Sequence, residues 1–97
     1  MTIRQGDIFF TKVDKEVTGK PVEKIVVAEG EQTGHHHVLI AETDSVLLGD
    51  RTLFTIKGKA KLVHPEHAEI SFPEGTWMVT NEREWNYIEN DLVKVRD

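Results

Sequence analysis

Apolar positions along this chain alternate with polar ones far more often than they recur at the three-to-four-residue spacing of a helix. Residues 8–13 open the pattern with Ile8, Phe9, Phe10 and Val13, and residues 22–27 repeat it with Val22, Ile25, Val26 and Val27. Further strands are predicted over 36–40, 45–48, 53–56, 60–63, 68–72, 76–80, 84–88 and 92–95. Turn chemistry separates them. Thr18-Gly19-Lys20-Pro21 reads as a turn, Lys57-Gly58-Lys59 as a hairpin connection, and Pro73-Glu74-Gly75 as a turn with Pro early and Gly late. The one helical turn that the pattern allows lies near Asn81-Glu82-Arg83-Glu84. Strands recurring this regularly, with turn signals between them, predict an all-β fold, a single small barrel or a sandwich.

Length and composition narrow the function classes. Ninety-seven residues make a single domain, 1–97, with one hydrophobic core. No apolar run is longer than that of Val38-Leu39-Ile40-Ala41, far short of the roughly 20 residues of a membrane helix, so no membrane partner is expected. The segment from Met1 to Asp7 lacks the apolar centre of a signal peptide, and the expected location is cytoplasmic. With no cysteine, disulfides, thiolate zinc sites and thiol nucleophiles are excluded. A net charge of −5 argues against general nucleic-acid binding, which draws on basic surface. Residues 51–64 are the exception, since they hold Arg51, Lys57, Lys59 and Lys61 and no acid. That block reads either as an anion or phosphate contact or as the solvent face of a hairpin.

All five histidines fall between positions 35 and 67. In an extended segment His35 and His37 project to one face and His36 to the other. A His-x-His pair on one strand face can put two imidazole nitrogens on one ion. The second group, His64-Pro65-Glu66-His67, is interrupted by Pro65, and a bend there turns His64 and His67 toward the first pair. Imidazoles without thiolate suit zinc, iron or nickel. His35, His37 and His67 are the expected ligands of a divalent metal. His64 is expected as a fourth ligand, or as a catalytic or orienting partner, with Glu66 orienting one imidazole.

Two resemblances bear on these residues. His35-x-His37, followed by Glu42 and Gly49, resembles the first motif of the cupins, which implies a cupin-like β-sandwich and metal ligation by His35, His37 and Glu42. Pro73-Glu74-Gly75 is similar to the start of the second cupin motif, but Met78 stands at the ligand histidine position. The chain also resembles a family of small uncharacterised bacterial and phage proteins. That likeness is carried by Arg4-Gln5-Gly6-Asp7, Gly30-Glu31-Gln32-Thr33-Gly34-His35-His36-His37, His64-Pro65-Glu66-His67-Ala68, Pro73-Glu74-Gly75-Thr76 and, more loosely, Asn81-Glu82-Arg83-Glu84-Trp85. It implies that His35, His37, His64 and His67 act together, and implies no reaction.

Three functions remain open on sequence grounds. The first is a metal-binding protein with a cupin-like site for a small-molecule ligand. The second is a metal-free phosphodiesterase or nucleotide hydrolase, with the histidines as acid and base and Lys57, Lys59 and Lys61 near phosphate. The third is an accessory module that binds a protein partner, which an exposed Trp77 or Trp85 in an apolar patch would favour.

Overall fold

Nine strands form in chain order: β1 (Thr2–Gln5), β2 (Ile8–Val13), β3 (Lys24–Glu29), β4 (His36–Ala41), β5 (Val46–Gly49), β6 (Leu53–Lys57), β7 (Ala60–His64), β8 (His67–Phe72) and β9 (Gly75–Asn81). They are seen in a computed structural model that describes residues 1–29 and 36–81. Among the described residues there is no helix, and so none long and apolar enough to cross a membrane. The strands pair antiparallel in two sheets, one of five strands in the order β1-β2-β9-β6-β5 and one of four in the order β3-β4-β7-β8. The fold is all-β and two-layered, which selects the sandwich over the barrel. The predicted strands at 84–88 and 92–95 lie outside the described residues, as does most of the predicted helical turn, whose first residue Asn81 ends β9.

Alternation explains the core. Ile8 and Phe10 on β2, Phe54 and Ile56 on β6, and Trp77 on β9 turn inward from the five-stranded sheet, and all are buried. Ile25, Leu39, Ala60, Leu62 and Phe72 meet them from the four-stranded sheet. Edge-to-face aromatic contacts tie the layers together: Phe10 to Phe72 at 5.1 Å between centroids, and Phe72 to Trp77 at 5.0 Å. Trp77 is a core anchor and offers no surface to a partner.

Strand β1 has no counterpart in the sequence expectation, and two further elements depart from it. Val22, expected to begin a strand, instead bridges Leu47 of the five-stranded sheet through a reciprocal pair of main-chain bonds, and β3 starts at Lys24 in the other sheet. The Lys57-Gly58-Lys59 segment is not a hairpin. It carries the chain from β6 in one sheet to β7 in the other, with Gly58 at φ +106°. The crossing is fixed by Gly58 N–H donating to Glu74 Oε2 and Lys59 N–H donating to Ser45 Oγ. Lys57 pairs with Glu16, and Lys61 lies 3.9 Å from Glu69.

Candidate functional site

Register brings the histidines into one row. Across β4, β7 and β8 the inward residues Leu39, Leu62 and Ile70 lie side by side, by the pairs Leu39↔Leu62 and Leu62↔Ile70. One step toward the end of the sheet, the inward positions are His37, His64 and His67. His37 and His64 follow the same alternation as Leu39 and Leu62. His67 does not, because three residues separate it from Ile70. A bulge corrects this. Between Leu62↔Ile70 and His64↔His67 the strand β8 holds one residue more than β7, and the extra residue returns His67 to the inward face. Pro65 and Glu66 form the two-residue turn between the paired His64 and His67.

The three rings pack against one another. Centroids are 4.3 Å apart for His37 and His64, 4.5 Å for His64 and His67, and 6.0 Å for His37 and His67. His37 is buried, His64 half-buried and His67 exposed. A groove lined by His36, Val38, Val63, His64 and Pro65 runs outside the same strand ends, so solvent reaches His64. Burial is the main reason the His37 pKa is pushed down to about 4; His64 and His67 lower it further, and the Asp7 carboxylate opposes them. His37 is therefore neutral at pH 7. No three histidine or carboxylate groups among the described residues stand in the arrangement that holds an ion, and the His37 and His67 rings lie stacked.

The five-stranded sheet supplies the other wall. Gln5, at the end of β1, is buried at 3% exposure and lies with Oε1 2.9 Å from His37 Nδ1. Its Nε2 donates to Leu62 O at 3.3 Å and to Ala68 O at 2.9 Å, the carbonyls that border the bulge. Gly6 and Asp7 close the β1–β2 hairpin, with Gly6 at φ +61° beneath the His67 ring. Gln5, Gly6 and Asp7 are site residues that the histidine argument did not single out. The signal for them was the Arg4-Gln5-Gly6-Asp7 segment, present in the family pattern without an assigned role.

The remaining expected residues divide. His36 points outward and is exposed, as alternation required, and His35 lies outside the described residues. Glu66 meets an imidazole through its main chain: its N–H donates to His64 Nδ1 at 3.0 Å, while the side chain is exposed. Glu42 cannot join the site. It follows the far end of β4, five residues from His37 and roughly 16 Å along an extended strand, with its N–H bonded to Lys59 O. Met78 is exposed on the outer face of the five-stranded sheet. The lysines also stand away from the histidines: Lys57 and Lys59 precede the start of β7, whereas His64 ends it, roughly 13 Å further on.

No curated protein and no solved structure matches the chain. One family model does, over residues 4–82, a span that includes the Gln5 hairpin and both histidine groups. The chain therefore belongs to the family described as a domain of unknown function, DUF8820.

Proposed function

We propose that the protein binds one divalent transition metal at the end of the sandwich, through His37 and His67, with His35, two positions before His37 in the sequence, as the expected third ligand. The observation that carries this reading is the replacement of an aliphatic row by an imidazole row, one of whose members, His37, is buried and neutral. A buried histidine that merely filled space would be better served by the leucine found one row away. Imidazole nitrogens without thiolate favour zinc, iron or nickel over magnesium or calcium. Holding an ion would require the His67 ring to turn out of its stack on His37. The resulting site is open to solvent past His64, which suits a small-molecule ligand on the metal.

The second reading, acid/base catalysis without metal, draws on the neutral state of His37 beside His64. Its phosphodiesterase form has less support, since Lys57 and Lys61 are matched by Glu16 and Glu69. A chelator experiment separates the two. Metal bound at a hundredfold excess over its Kd adds about 2.7 kcal/mol to stability, and for a domain of this size that raises Tm by roughly 10 °C or more. The chelator should remove that increment from the wild type and from His36→Ala, and should have nothing to remove from His37→Ala. An equal response in both variants would contradict the metal reading.

A further inference from the structure

The tautomers of His37 and His64 follow from their partners, and they are opposite. Both hydrogens of the Gln5 amide are committed, to Leu62 O and Ala68 O. Turning the amide over would set Oε1 against two carbonyl oxygens, so Oε1 is the atom that faces His37 Nδ1 at 2.9 Å. An amide oxygen only accepts. His37 therefore carries its proton on Nδ1 and its lone pair on Nε2. At His64 the roles reverse. A main-chain N–H only donates, and that of Glu66 points at Nδ1, so neutral His64 holds its proton on Nε2.

We propose that Gln5 is a positioning residue that makes His37 an Nε2 ligand, and that His64 acts in the same site as an Nε2–H donor and not as a ligand. This assignment rests on the metal reading above. A ligating imidazole presents one lone pair and donates its other ring N–H to a carbonyl or carboxylate, which fixes its tautomer and orientation. His37 is already in that state, and the amide that holds it is buried and anchored to two strands. The bulge in β8 serves both ends of the device: it turns His67 inward and borders the two carbonyls that clamp Gln5. His64 is in the opposite state. To ligate through Nε2 it would have to move its proton to Nδ1, where the Glu66 N–H now donates. What an Nε2–H suits is an acceptor oxygen held by the ion.

The test uses chelator-treated full-length protein labelled with nitrogen-15 in histidine. Long-range proton–nitrogen correlation spectra near neutral pH should show His37 protonated at Nδ1 and His64 at Nε2. The reverse pattern at either residue overturns the assignment. Cobalt(II) titration, followed by absorption, then tests its consequence. Gln5→Met should weaken cobalt binding about 10- to 100-fold, as loss of such an orienting partner typically does. Gln5→Asn, the shorter amide, keeps both an acceptor for His37 Nδ1–H and an N–H donor for the carbonyls, and should recover part of that loss even if the methionine variant folds poorly. His64→Gln, which keeps an N–H donor, should leave the affinity nearly unchanged. If His64→Gln loses cobalt as completely as His37→Gln, His64 is a ligand and the inference is wrong while the metal reading stands. A wild type that takes up no cobalt overturns the metal reading, and the ligand roles with it.

Discussion

The His67 ring lies over Gly6 so closely that a Cβ on Gly6 would meet its Nε2 at 2.8 Å. Gly6 also holds φ at +61°, in the left-handed region that side chains rarely adopt. Gly6→Ala therefore meets a backbone cost and a steric one, together about 2–3 kcal/mol. Urea unfolding should read that loss. Adding His67→Ala should recover the steric part, giving a coupling of about 0.5 kcal/mol or more in the double-mutant cycle. Purely additive losses would mean that the ring does not rest on the hairpin.

Phe10 is fully buried and stacks edge-on against Phe72 and, at 6.2 Å, against Phe54. It touches aromatic neighbours from both layers, as Phe54 does. Phe10→Ala should cost about 3–5 kcal/mol by the cavity it leaves, a large share of the roughly 5–15 kcal/mol available to a small domain. Phe9→Ala, on the half-buried outer face of the same strand, should cost clearly less. Thermal denaturation of the two variants decides whether the inward face has been read correctly.

Acid should weaken the metal-free protein through His37. Its folded pKa is about 4, against 6.5 for the free side chain, so between those values the unfolded chain binds more protons than the folded one. Stability from this group is complete above pH 6.5 and drains away as pH falls toward 4. Urea midpoints of chelator-treated protein should therefore decline over that window, and the decline should be shallower in His37→Gln. An identical decline in both proteins would assign the acid sensitivity to other groups.

The strands were legible because alternation is written into them. Buried Ile8 and Phe10 alternating with half-buried Phe9 and Thr11 give β2, and Ala60 and Leu62 against Lys61 give β7. Strand β1 was not legible, because its one apolar residue, Ile3, sets no period and its buried end is Gln5, a polar side chain. The Gly58 connection was misread for a related reason: the same local turn chemistry serves a hairpin and a crossing between sheets. At the site, alternation gave the inward His37 and the outward His36, and Pro65 gave the turn. The bulge that brings His67 inward left no mark on Ala68-Glu69, and without it His67 would face solvent on the wrong side of the sheet. The amide clamp of Gln5 joins residues 57 and 63 positions apart, a distance over which one sequence shows no pairing.

Metal content tests the central claim most directly. Protein purified without an affinity tag or added metal, then dialysed against one equivalent each of zinc, iron(II) and nickel(II) in separate samples, should be analysed by elemental mass spectrometry. The account predicts close to one ion per chain with at least one of these metals, retained by His36→Ala and lost by His37→Ala. Wild-type protein that returns no bound metal from any sample, while remaining folded, would contradict it.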